Sequence, residues 1–202
     1  MYDLLLNSWS SFSRVLIGGA MAVVLGILLG FLRYSLPRFL KRNFIINLIL
    51  DAPKFPPPIA WIPFVILFFG IGNAASFIIV FIGVLPSIVT QVYDGLESIK
   101  LEVLQTARSM QLSKVKMLRF ILIPAILPQL MTGIRVGFSM GWMSIIAAEM
   151  ISGQSGLGYS IQINRINLQY TNMIYDMIAI GVIGYLMTRL LYSLEARMAP
   201  WK

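Results

Sequence analysis

The sequence predicts an all-α integral membrane protein, folded as one domain over residues 1–202. Three observations lead there. Hydrophobic residues make up 58% of the chain and charged residues only 12%, a balance that belongs to membrane spans. Apolar runs of spanning length recur along it, and Phe55 to Tyr93 carries no charge. The net charge of +8 sits in short loops between those runs, so the positive-inside rule accounts for it better than nucleic-acid binding.

The first span is expected over about 12–32, with a charge-free stretch from Val15 to Leu32; about 20 helical residues cross a bilayer's apolar core. Arg33, Arg38, Lys41 and Arg42 follow it, which puts that end in the cytoplasm. The second span, 44–69, holds Asp51, Lys54 and the run Pro56-Pro57-Pro58. Consecutive prolines remove backbone donors and disfavour helix just before them, so this span is expected to break. Gly70-Ile71-Gly72-Asn73 then turns the chain on the outer side, and the third span covers about 74–93. A basic loop, about 94–120, returns on the inner side. The fourth span is expected over about 128–150, its entry bent by Pro124 and Pro128. A flexible outer segment, Ser152 to Gly158, precedes the fifth span at about 173–192. Arg189, Arg197 and Lys202 mark a cytoplasmic tail, so the N-terminus lies outside and the C-terminus inside.

Composition also excludes chemistry. With no cysteine and no histidine, thiol catalysis, disulfides and imidazole bases are absent, and no zinc or other metal site is expected. The carboxylates lie singly, so no catalytic residues are assigned. No Gly-x-x-x-x-Gly-Lys-Ser/Thr loop occurs, so this chain binds no nucleotide cofactor and any ATP and magnesium are used by a partner chain. Small residues recur every fourth position at Gly18, Ala22, Gly26 and Gly30, and again at Gly133, Gly137 and Gly141. Such stripes let helix backbones approach closely, either within one subunit or between two. No internal repeat is visible, which argues against an inverted-repeat secondary transporter.

The inner loop carries the most information. On a helical wheel Leu96, Ile99, Val103, Ala107 and Met110 share one face, and Ser113 is placed to cap a second short helix. A basic amphipathic segment between spans has one face free to dock a soluble partner, or simply rests on lipid. Within the membrane, charge is expensive, so Arg135 and Glu149 are candidates for function. Arg135 either attracts an anionic solute or pairs with Asp94 or another inner carboxylate. Glu149 either sits solvated at the outer end of its helix, meets a docked partner or helps form an outer gate. Asp51 and Lys54 are expected to pair with each other, and Asp176 to lie at the interface. Pro57, Pro58 and Trp61 are candidates for a pathway lining, because irregular backbone at membrane depth survives only inside protein or facing water.

The loop resembles that of permease subunits of binding-protein-dependent ATP-binding-cassette importers. That family's pattern is Glu-Ala-Ala-x-x-x-Gly, followed further on by Ile-x-Leu-Pro. On this chain it falls on Gln105, Thr106 and Ala107, then Gln111, then Ile121 to Pro124, with the spacing kept and several identities replaced. Thr106 to Met110, Thr132-Gly133-Ile134-Arg135, Ala147 to Met150, Ser155 to Tyr159 and Pro57 to Pro63 resemble the nitrate, sulfonate and taurine branch. The resemblance implies the five-span core of a type I importer permease, in a prokaryotic inner membrane. It implies a homodimer with the pathway between its copies, two ATPase subunits and an extracytoplasmic solute-binding protein. It makes Leu101, Leu104, Gln105, Thr106, Ala107, Arg108, Met110 and Gln111 the coupling helix that docks on the ATPase. Ala107→Glu is then expected to uncouple transport without unfolding the spans. The branch suggests a small anion such as nitrate, a sulfonate or taurine as substrate; a vitamin precursor (a thiamine pyrimidine or riboflavin) is the alternative, and a stand-alone transporter a more distant one.

Overall fold

The computed structural model describes residues 2–41 and 43–198, so Arg42 and Lys202 lie outside the described residues. Every regular element among them is helical. Helix α1 runs Tyr2–Ser35, followed by the short α2 (Arg38–Lys41) and α3 (Phe44–Asp51). Two 3-10 turns, Ala52–Lys54 and Pro58–Trp61, bracket the prolines before α4 (Ile62–Phe69). Helix α5 is Asn73–Glu97, α6 is Leu101–Ser109 and α7 is Lys114–Met117. Helix α8 covers Ile123–Ser152, α9 Leu157–Ile166 and α10 Tyr170–Met198.

Four helical stretches are long and apolar enough to cross a membrane: Asp3–Ser35, Asn73–Glu97, Lys114–Ile151 and Tyr170–Met198. Their helical bounds differ from two expectations. Helix α1 starts well before residue 12 and, at 34 residues, extends past the apolar core. The fourth span does not begin near Pro128. Helix α7 continues through a π-helical turn, Leu118–Leu122, into α8, and Pro124 sits in the first turn of α8. Proline there cannot bond the preceding turn, and a wide π turn is how a helix takes up that mismatch without stopping. The second span breaks at the prolines as expected, into two helices of 8 residues each joined by 3-10 turns.

Helix α5 is the axis on which the rest is assembled. Val80, Val84, Ile88 and Val92 are fully buried along it, and Leu96 nearly so. Both small-residue stripes close on this one helix. On α1, a Cβ at Gly26 would lie 2.7 Å from Ile88 Cβ, and one at Gly30 2.6 Å from Val92. On α8, Gly137 and Gly141 meet Val84 in the same way, at 3.0 and 2.7 Å. The stripes therefore serve packing inside the subunit. Lipid tails are as apolar as leucine, so α1 and α8 gain from backbone approach and van der Waals contact rather than from leaving water.

A smaller cluster holds α4 against α5, with Ile62, Ala75 and Ile79 fully buried and Val65 nearly so. The turn between them uses Gly70 (φ 73°) and Gly72 (φ 138°), backbone that side chains resist. Helix α10 is the most peripheral span: of its residues only Asp176, Met187 and Glu195 are buried.

Candidate functional site

Beside the proline break, α5 and α8 enclose a groove of about 440 Å³. Pro57 and Pro58 form one wall; Gly83, Pro86, Ser87, Thr90 and Gln91 of α5 and Val136 and Met140 of α8 form the others. The sequence dictates this shape locally. Pro86 has no N–H to give, which frees the Ile82 carbonyl on the groove side of α5. Gly83 keeps the wall open: a Cβ there would meet Ser144 Oγ at 2.9 Å and the Pro58 ring at 3.4 Å. The Ser87 hydroxyl donates to Gly133 O at 3.0 Å, tying α5 to α8 behind the groove. Lys54 is the one charged side chain among the described lining residues.

Of the five expected pathway residues, the structure brings Pro57 and Pro58 together in this groove and places the other three elsewhere. Trp61 packs with the α4–α5 cluster. Arg135 points to α10, where it bonds the Tyr192 hydroxyl, covers its ring at 4.1 Å and forms an ion pair with Glu195 at 3.4 Å. The partner is thus a carboxylate on the last span, not Asp94.

Glu149 is not solvated. It is 1% exposed and forms an ion pair with Arg14, itself 5% exposed, at 2.6 Å. The carboxylate also accepts from the Ser11 hydroxyl at 2.8 Å and from Gly158 N–H at 3.1 Å. Arg14 reaches further, to Asn73 Oδ1 at 2.6 Å and to the Ser155 carbonyl at 2.8 Å. One network therefore binds α1, the start of α5, the end of α8 and the start of α9. It also corrects the expectation of a flexible outer segment: Gly156, Leu157 and Gly158 are buried. Glycine is required at 156, where φ is 109° and a Cβ would sit 2.3 Å from the Glu149 carboxyl carbon. Asp176 is likewise buried rather than interfacial, accepting from Ser160 Oγ at 2.7 Å and Asn164 Nδ2 at 2.8 Å.

At the inner end the expected pairing of Asp51 with Lys54 occurs, at 2.6 Å, and Arg33 of α1 joins it at 2.8 Å. Arg33 also lies over the Tyr93 ring at 4.4 Å, so the proline break is fastened to both α1 and α5.

The inner loop departs from a single amphipathic face. Helix α5 ends at Glu97 and α6 starts at Leu101, so Leu96 belongs to the core while Val103 and Met110 are exposed. Leu101 is 63% and Met110 66% exposed, and Gln105, Thr106 and Gln111 are exposed with them. Leu104 is half-buried. Ala107 is 2% exposed, so Ala107→Glu would disturb the loop's own packing as well as any dock. The side chain of Arg108 lies outside the described residues.

Gln111 ends the helix in a left-handed conformation, φ 51°, and Leu112 N–H reaches back to Ala107 O at 3.4 Å. This is the Schellman closure usually made by glycine, at the position where the resembling pattern has glycine. Ser113 caps α7 as expected, accepting from Lys116 N–H.

Sequence reasoning missed the Arg14–Glu149 bond and the place of Lys54 in the groove. The first joins residues 135 apart and leaves no local pattern. The second had a signal, a lone cation beside a proline run in a span whose one other charge is Asp51.

Known proteins agree with this arrangement. The family model described as "Binding-protein-dependent transport system inner membrane component" matches residues 22–201. The chain is 27% identical to the taurine transport system permease protein TauC of Escherichia coli, over 95% of this chain and 69% of that one. It is 29% identical to the nitrate import permease protein NrtB of Synechocystis, again over 95% and 69%. Among solved structures, the MetNI methionine ABC transporter in inward-facing form superposes with a TM-score of 0.78 at 20% identity, covering 98% of this chain and 97% of that one. The matched model spans most of the chain, and with it the helices, groove and inner loop described above: this protein belongs to the family of binding-protein-dependent transport inner membrane components, as a permease subunit of an ATP-binding-cassette importer.

Proposed function

We propose that two copies of this chain form the solute pathway of an ATP-driven importer for a small anion, with the grooves beside Pro57 and Pro58 facing each other across the interface. Two ATPase subunits dock on the cytoplasmic loops, and a solute-binding protein delivers substrate to the outer end. The chain performs no bond chemistry and binds no nucleotide. ATP binding closes the ATPases, shifts α6 and turns the pathway outward; hydrolysis returns it. The N-terminus lies outside and the C-terminus in the cytoplasm.

The observation that carries this reading is α6 itself. It leaves the spans, keeps Leu101 and Met110 exposed on a basic loop, and ends at Gln111 in the backbone form of the family's glycine. Helix-in-groove docking needs such a face. The anion class is supported by the nitrate and bicarbonate in the names of two relatives, by the sulfonate group of the taurine in a third, and by Lys54, the one cation among the groove's described lining residues.

The test is purification from native membranes in mild detergent, with co-purifying chains identified by mass. A stoichiometric cassette ATPase, lost on Met110→Asp, is the expected result. Recovery of the permease alone, under conditions that preserve a known importer, would overturn the reading in favour of a stand-alone transporter.

A further inference from the structure

We propose that Lys54 is a contact for the transported anion inside the groove, and that Asp51 is its resting counter-ion. The inference rests on the reading of this groove as the pathway.

Three charges meet at the inner end of the proline break. The Asp51 carboxylate is shared by two cations: Lys54 Nζ at 2.6 Å from Oδ1, and Arg33, which holds Oδ1 at 2.8 Å and Oδ2 at 3.2 Å. Neither cation forms an ion pair with any other carboxylate among the described residues. Counting the groups in direct contact, two positive charges and one negative leave the cluster one negative charge short of neutral, while Asp94 acts on Arg33 from further off. Of the three, only Lys54 lines the groove, and its side chain is 23% exposed where that of Arg33 is 11% exposed.

A small anion entering the groove can take Lys54 from Asp51 without stranding a charge. Asp51 keeps its two-point bond to Arg33, and the anion neutralises Lys54. A lone buried lysine would bind an anion and hold it, because release would leave the ammonium unpaired. With Asp51 2.6 Å away the ammonium always has a partner, so release is as accessible as capture. Conduction needs that balance between entering and leaving. Thr90 and Gln91 line the same wall and offer donors to an anion, and no carboxylate is among the described lining residues. The ligand class is a small singly charged anion: it brings the cluster to neutrality, whereas a cation is repelled.

The natural chain has no cysteine, so a single thiol reports without background. In membranes holding the assembled transporter, Thr90→Cys is modified by methanethiosulfonate ethylsulfonate, an anion, and by its trimethylammonium counterpart, a cation. The ratio of the two rates is divided by the same ratio for Asn167→Cys, exposed at the end of α9 and away from the docking helix. The anionic reagent is expected to be favoured. The normalised ratio should fall about tenfold in Lys54→Gln, the lower end of what a charge-lined cleft contributes to encounter rates. It should hold in Lys54→Arg, and rise in Asp51→Asn, which leaves Lys54 to the groove.

A thiol at 90 that reacts well but with a ratio indifferent to Lys54 and Asp51 sinks this inference and leaves the pathway intact. A thiol at 90 that neither reagent reaches, with or without ATP, shows that the groove carries no water and overturns the pathway reading together with it. Because Lys54→Arg should hold the ratio and Asp51→Asn should raise it, a folding defect in Lys54→Gln does not decide the outcome.

Discussion

The two ends of the molecule are built on opposite principles. At the outer end the Arg14–Glu149 pair is almost sealed from solvent, and each of its groups has further bonds to Ser11, Asn73, Ser155 and Gly158. At the inner end α6 packs little against the spans, and Leu101, Val103 and Met110 stand exposed. A buried ion pair stabilises only when its remaining donors and acceptors are met, and here they are. Exposed apolar side chains on the loop that carries α6 have no such closure within the chain. The contrast separates a joint that must hold from a surface that must be held by something else.

The contrast can be broken most severely at the outer end. Glu149→Gln leaves Arg14 buried without its counter-charge and is expected to cost about 3–5 kcal/mol, read as a lower midpoint of thermal unfolding in detergent. Arg14→Met combined with Glu149→Leu should recover part of that loss. A double variant no better than Glu149→Gln would mean that the network is not an ion-pair joint.

Next in size is the packing on α5. Gly26→Leu forces a side chain into Ile88 and should cost about 1–3 kcal/mol, whereas Gly181→Leu on α10, with nothing within 4 Å of its Cβ position, should leave the midpoint unchanged. Equal effects at the two positions would remove the distinction between core and lipid face.

At the inner end the expected effects leave stability alone. Leu101→Asp or Met110→Asp should shift unfolding by less than about 0.5 kcal/mol, as for other surface changes, while abolishing ATPase co-purification. A large fall in the midpoint would show that α6 is held by the spans after all. Gln111→Gly should act in the other direction and only locally. Relieving a left-handed glutamine should steady the end of α6 by about 1 kcal/mol, seen as slower amide hydrogen exchange from Thr106 to Leu112.

How far the sequence reached follows the range of each signal. The proline break, the turn at Gly70–Gly72 and the Ser113 cap depend on neighbours a few residues apart, and all were legible. The glycine stripes were legible as close approaches, but only the fold assigns both to α5. Charges were misjudged in proportion to the distance of their partners. Lys54 with Asp51 was readable at three positions' separation; Arg135 with Glu195 and Arg14 with Glu149 were not, because span-to-span pairing leaves no periodic trace. The start of α8 was missed because two prolines suggested a bend, where a π turn lets the helix run through.

That uninterrupted helix has a mechanical consequence. From Lys114 to Ile151 it is a single rod of 38 residues, about 57 Å long at the α-helical rise. One end belongs to the loop that carries α6, and the other is bolted through Glu149 to three other helices. A rod fixed at one end can only swing about that point. A tilt of about 10° would carry the loop about 10 Å sideways over that length while the outer end stayed in place. The outer joint is then a fulcrum, and its stiffness sets how faithfully a push on the loop becomes a change in the groove partway along the arm.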